Sequence, residues 1–129
     1  MVMEMIREKC NASNLTRYYR TDRLSDVDAI IHWLCEIRAI DNLDISYIVL
    51  RDMNTRSDER SDTLRLAGDI QNEEILCEVK ARNIDVISMR GTYAGKPVVI
   101  GAKLRRFEVF VTVRLSNMAD IDAIEKELL

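Results

Sequence analysis

A chain of 129 residues is long enough for one domain with a buried core, and 47% hydrophobic with 32% charged residues is typical of a folded globular protein. A net charge of −3 gives no overall attraction to nucleic acid or to an anionic membrane. No apolar run approaches the roughly 20 residues of a membrane helix, and charges interrupt the N-terminal segment where a signal peptide needs apolar residues. These features predict a cytoplasmic protein with a single domain, residues 1–129.

The N-terminal third of the chain contains one strand pattern and one helix pattern. Residues 1–12 predict either a short helix or a frayed arm, because their methionines show no decisive period. The run at 15–20 is rich in β-forming residues and predicts a strand. Ser25 is the predicted N-cap of a helix whose apolar face runs from Val27 to Ile40.

Strand and helix patterns continue to the C-terminus. The predicted elements are a buried strand at 45–50, a polar loop at 52–62, a strand at 63–68, a helix at 72–82, strands at 84–89 and 97–100, a strand at 107–115 and a last helix from 117 onward. The alternation at 107–115 separates two faces: Phe107, Val109, Val111 and Val113 on one, and Phe110 and Thr112 on the other. Residues 91–96 predict a hairpin turn rather than a phosphate loop, because a strand follows them.

The order of these elements predicts an α+β fold. A ferredoxin-like βαββαβ sandwich is expected over residues 15–90, with a β-hairpin and helix as an extension at 91–129. Arg23-Leu24-Ser25 and Arg114-Leu115-Ser116 each follow a strand pattern and precede Asp-x-Asp-Ala-Ile, which predicts a strand-then-helix unit used twice. Either the extension begins a truncated second unit, or the recurrence is chance in a chain rich in Asp, Ala and Ile.

The turn before the first helix and the start of the following strand resemble ACT-type regulatory domains. Asp22-Arg23-Leu24-Ser25 matches the Asp-Arg dipeptide with which that family commonly begins its first helix, although Ser25 stands near the place of the family's glycine. Leu43-Asp44-Ile45 matches a hydrophobic-Asn-Ile segment, with Asp44 in place of the Asn. Over residues 15–90 the resemblance implies a βαββαβ module that binds an amino acid or similar ligand and pairs with a second copy.

A ligand would contact the turn and the start of the second strand, with Arg23 facing a carboxylate. The predicted contacts are Asp22, Arg23, Leu24, Ser25, Asn42 and Asp44. The strand at 107–115 is apolar on both faces, so a second subunit is the expected cover for one of them. We therefore predict a non-enzymatic regulatory or assembly module, a homodimer without cofactor or metal.

Two clusters of basic and aromatic residues define an alternative function. They comprise Arg17, Tyr18, Tyr19, Arg20, Lys103, Arg105 and Arg106. Such residues on a sheet bind single-stranded nucleic acid by charge and stacking, whereas the negative net charge favours a solvated edge. Clustering of the arginines on one open sheet face would favour nucleic acid, and burial of that face in a dimer would favour assembly.

The three cysteines offer little chemistry. Cys10, Cys35 and Cys77 are too few and too widely spaced for a disulfide framework, and we expect buried, reduced thiols. His32 lies three residues before Cys35, so a small enzyme using Cys35 is a second alternative. The acidic pairs Asp26/Asp28 and Asp120/Asp122 fall in first helical turns, where the helix dipole accounts for them.

Overall fold

The computed structural model describes residues 3–37, 43–51, 63–67, 77, 79, 81 and 84–128. The segments 43–51 and 63–67 are described by their backbone alone. The predictions for the end of the first helix, the polar loop at 52–62 and the cap at Asn72 lie outside the described residues.

Seven strands and two helices are the main elements of the described residues. They are β1 (Glu4–Cys10), β2 (Asn14–Arg20), α1 (Val27–Ile37), β3 (Leu43–Arg51), β4 (Thr63–Ala67), β5 (Val86–Tyr93), β6 (Lys96–Lys103), β7 (Glu108–Arg114) and α2 (Asp120–Leu128). Cys77, Val79 and Ala81 are also helical, within the helix predicted at 72–82. Neither α1 nor α2 has the length and apolar character needed to cross a membrane, and the same holds for every helix in the described part of the chain.

The strands form one antiparallel sheet in the order β1-β2-β7-β6-β5-β3-β4. The predicted α+β class is confirmed. The finer expectation of a ferredoxin-like sandwich is not, because the two strands that α1 joins, β2 and β3, are separated by three others. The third of these, β5, pairs directly with β3, so the extension at 91–129 is inserted as β6 and β7 into the centre of the sheet.

The N-terminal segment is a strand, β1, and the prediction of a helix or a frayed arm was wrong. β1 pairs with β2, and its register shifts between Met5 and Arg7. This bulge breaks the alternation of side chains between the two faces. β1 also lies at the edge of the sheet with all of its residues exposed or half-buried, so burial imposes little apolar alternation on its sequence.

One face of the sheet is covered by the helices, and we call it the covered face. On β2 and β7 it carries Leu15, Arg17 and Tyr19 opposite Val113, Val111 and Val109. Ile30, Ile31 and Leu34 of α1 and Ile121 and Ile124 of α2 belong to the same buried cluster. The predicted alternation of β7 is confirmed except at Phe107, which lies in the preceding turn with a positive φ of 54° and is exposed.

The repeated phrase marks two similar local structures. β2 and β7 are adjacent and antiparallel, and each forms a hairpin with its preceding strand, β1 or β6. Each is followed by a short 3-10 turn, Asp22–Leu24 or Leu115–Asn117, and then by a helix. Each copy of the repeated phrase thus lies between a strand and a helix, and a truncated second unit stays a prediction.

Candidate nucleic-acid interface

The other face of the sheet, here called the open face, carries an aromatic pair at its centre. Tyr18 on β2 and Phe110 on β7 are direct cross-strand partners, with ring centroids 5.9 Å apart and planes tilted by 49°. Both rings are half-buried. Because α1 and α2 both pack on the covered face, these rings lie on the side of the sheet that neither helix occupies.

Gly101 on β6 allows the Phe110 ring to lie across the neighbouring strand. A Cβ atom at position 101 would come within 2.6 Å of Phe110 Cζ and within 2.2 Å of the backbone oxygen of Ile87. Any larger residue would displace the ring or the strand. The absence of a side chain at Gly101 therefore leaves room for the Phe110 ring to lie close to the sheet backbone.

Three cations surround the Tyr18 ring. The Cζ atom of Arg7 lies 3.9 Å from the ring centroid, Lys103 Nζ lies 4.9 Å away and Lys9 Nζ lies 6.0 Å away. These distances are within the range of cation–π attraction. The residues come from β1, β2 and β6, so the cluster exists only in the folded sheet.

Glu108 is the buried carboxylate beneath these cations. Its side chain is only 4% exposed and accepts two hydrogen bonds from Arg7, Nη1–Oε1 at 2.9 Å and Nη2–Oε2 at 2.7 Å. Arg20 Nη2 adds a longer contact of 3.4 Å to Oε1. The hydrogen bonds from Arg7 hold the pKa of the Glu108 carboxyl below its usual value.

Positive charge exceeds negative charge around the aromatic pair. Among the described residues the cations are Arg7, Lys9, Arg20, Lys103 and Arg106, and the carboxylates are Glu108 and the exposed Glu4. Burial and the positive charges of Arg7 and Arg106 lower the pKa of Lys103. The cations are thus only partly neutralised, which suits the binding of an anion.

The structure divides the basic and aromatic residues that the sequence had grouped. Tyr18, Arg20 and Lys103 lie on the open face, whereas Arg17 and Tyr19 lie on the covered face. Arg105 and Arg106 lie in the turn after β6, where Arg105 forms an ion pair with Asp85 and the Arg106 carbonyl accepts a hydrogen bond from Arg20.

Sequence reasoning missed Arg7, Lys9 and Phe110 as site residues. Arg7 and Lys9 belong to the strand that was not predicted, and Phe110 was placed on the correct face without a role. The available signal was the spacing of Arg7 and Lys9, which are two residues apart. In an extended segment this spacing places both side chains on one face of the sheet.

Arg17 occupies the centre of a different network on the covered face. Its guanidinium donates to Glu8 at 2.6 Å, to Asp122 at 2.7 Å and to Glu125 at 3.0 Å. Tyr19 donates a hydrogen bond of 2.8 Å to the same Glu125 carboxylate. These contacts join β1 and α2 to the sheet, so Arg17 and Tyr19 have structural partners and are not available to a ligand on the open face.

The turn predicted to bind an amino acid is described in part. Asp22, Arg23 and Ser25 are exposed and Leu24 is buried. The predicted cap at Ser25 is wrong: Asp26 caps α1, accepting a 2.8 Å hydrogen bond from the Ala29 N–H. A carboxylate already occupies this helix N-terminus, which disfavours an acidic ligand there.

The two halves of that predicted ligand site lie apart within one chain. Asn42 is outside the described residues, and Asp44 is described only by its backbone, which pairs with Thr92. β2 and β3 run in the same direction, because four antiparallel pairings separate them. The end of β2 and the start of β3 therefore lie at opposite ends of the sheet.

The cysteines differ from the predicted buried thiols. Cys10 and Cys77 are exposed, and Cys35 is half-buried against the core. Within the described ranges, His, Cys, Asp and Glu side chains form no group of three or more suited to hold a metal ion.

Comparisons of the chain with protein-family models, curated protein sequences and solved structures give no match. The ACT-type resemblance is therefore not tested by any relative, and the amino-acid sensing that it implies stays a prediction.

Proposed function

We propose that this protein binds single-stranded nucleic acid on the open face of its sheet. The observation that carries the proposal is the cluster of cations around the Tyr18–Phe110 pair, on the face away from both helices. Aromatic rings on a sheet stack with bases, and the surrounding Lys and Arg side chains attract phosphates.

A single strand suits this surface better than a duplex does. The Phe110 ring lies against the sheet above Gly101, and bases reach such a ring only when they are unstacked. Charge and stacking, which the cations and the rings supply, carry little sequence information. Binding with little sequence preference is expected.

A regulatory or assembly module, with a second copy of the chain covering this face, is the other prediction from the sequence. Two copies meeting through their open faces would bring two positively charged clusters together, which opposes association. A homodimer stays a prediction, and a pairing through a sheet edge would leave the aromatic pair accessible to nucleic acid. Light scattering over a dilution series measures the oligomeric state.

The function is tested by fluorescence anisotropy with a labelled 15-nucleotide oligothymidine and a duplex of the same length. We expect the single strand to bind more tightly, with an affinity that falls steeply as salt rises. For the single strand, Lys9→Met should reduce the slope of log K against log salt by about 0.7. Lys126→Met is the matched control, because Lys126 is exposed on α2 on the other side of the sheet.

Three results would contradict the proposal. The first is no saturable binding at 50 mM salt, and the second is tighter binding of the duplex. The third is an equal loss in Lys9→Met and Lys126→Met, which would mean that the interaction responds to net charge rather than to the open face.

A further inference from the structure

In the unbound protein, Arg7 covers a ring and uses donor groups that a bound nucleic acid would contact. Its guanidinium covers the Tyr18 ring at 3.9 Å, and two of its N–H groups are taken up by Glu108. A base stacking on this side of Tyr18 competes with Arg7 for the ring. A phosphate binding to Arg7 competes with Glu108 for the same two donors, because carboxylate and phosphate are both bidentate acceptors for arginine.

We infer that Glu108 is a built-in competitor of the phosphate group, and that Arg7 changes partner from Glu108 to the ligand when nucleic acid binds. The inference rests on the proposed function, and it names Glu108 as the residue that limits the affinity of the protein for nucleic acid. Arg7 can make the exchange from solvent, since its side chain is 26% exposed, whereas Glu108 is 4% exposed and stays in the floor of the site.

Arg20 provides the second partner that the exchange needs. A buried carboxylate that loses its hydrogen-bonded partner is costly, so complete release of Glu108 would oppose binding. Arg20 is 54% exposed and already lies 3.4 Å from the Glu108 carboxylate, at the long end of a hydrogen bond. Moving Arg20 a few tenths of an ångström closer would keep Glu108 paired after Arg7 leaves.

The affinity of Glu108→Gln for oligothymidine tests the inference. Glutamine has the size of glutamate but lacks its charge, so Arg7 and Arg20 are held less strongly. We expect Glu108→Gln to bind about tenfold more tightly than the unmodified protein at the same salt concentration. Glu36→Gln removes the same charge from an exposed site on α1, and its affinity should stay within about twofold of the unmodified value.

Two outcomes would overturn the competitor role. An equal increase in the affinity of both variants would mean that the affinity depends on the net charge of the protein and not on Glu108. Weaker binding by Glu108→Gln would mean that Glu108 positions Arg7 for the ligand. If the unmodified protein binds and Glu108→Gln is not tighter, only this inference fails; if neither the unmodified protein nor the variant binds, the proposed function fails with it.

If Glu108→Gln does not fold, a measurement on the unmodified protein tests the exchange of partners by Arg7. The side-chain carboxyl ¹³C resonance of Glu108 reports its partners directly. Saturation with oligothymidine should shift that resonance, while the resonance of Glu36 stays in place. An unchanged Glu108 resonance at saturation would overturn the exchange of partners by Arg7.

Discussion

The two faces of the β2–β7 ladder carry opposite charge arrangements, although their residues alternate along the same two strands. On the covered face one cation, Arg17, contacts three carboxylates from β1 and α2. On the open face one buried carboxylate, Glu108, contacts Arg7 and Arg20 and is overlaid by further cations. The first arrangement leaves negative charge in excess, and the second leaves positive charge in excess.

The net charge of the chain does not describe the charge of the open face. A value of −3 is the sum over all 129 residues, whereas Arg7, Lys9, Arg20 and Lys103 lie on the open face. Interactions between charges are screened over about 8–10 Å at moderate salt, so a ligand on the open face responds mainly to the local cations. An overall negative charge therefore does not exclude a polyanionic partner.

The largest effect on stability is expected from a charge placed on the covered face. Val111 is 1% exposed at the centre of that face, so Val111→Asp buries a carboxylate in the apolar core. We expect a loss of about 4 kcal/mol or more in the free energy of unfolding, enough to prevent soluble expression. Thr112→Asp, one residue along and on the open face, should remain folded, as a circular-dichroism melting curve would show; equal melting temperatures for the two variants would remove Val111 from the core.

The next effect separates stability from binding. Arg17→Met removes the shared partner of Glu8, Asp122 and Glu125, and it should lower the free energy of unfolding by about 1.5–3 kcal/mol. Its affinity for oligothymidine should not fall, because Arg17 points away from the open face. Urea denaturation measures the first quantity, with the exposed Arg23→Met as control. A loss of affinity without a loss of stability would assign Arg17 to the binding site.

In contrast to Arg17→Met, Phe110→Ala should lower the affinity for oligothymidine. Loss of one stacking ring costs about 1–3 kcal/mol in affinity, roughly a factor of 5 to 150. Phe107→Ala removes the same ring from an exposed position in the turn before β7 and should change the affinity little. Anisotropy titrations of both variants make the comparison, and equal losses would show that Phe110 is not a specific stacking platform.

The smallest expected effect is a pH dependence arising from Lys103. Its pKa lies below that of an ordinary lysine, so it loses its positive charge at a lower pH than other lysines do. Affinity for a polyanion should therefore fall by a few-fold as the pH rises toward the ordinary lysine pKa of about 10.4. Lys103→Arg, which stays protonated, should keep its affinity over this range; an identical decline in this variant would assign the titration to another group.

Local sequence patterns determined most of the elements. The alternation in β7 and the 3.6-residue period in α1 and α2 follow from burial of one side of each element. The turn between β5 and β6 was predictable as well: Ala94 and Gly95 both have positive φ, 51° and 78°, as a two-residue hairpin favours. Two predictions failed: β1, an exposed edge strand with little apolar alternation, and the start of α1, where Ser25 and Asp26 are both good caps.

The candidate binding surface depends on the tertiary structure. Arg7 and Glu108 are 101 residues apart, and they meet because β1, β2 and β7 are neighbours in the sheet. A period of two predicts that Tyr18 and Tyr19 lie on opposite faces, but not which of those faces the helices will cover. That choice depends on long-range pairing and on where α1 and α2 bury their apolar sides, because the strand order places residues from both ends of the chain side by side.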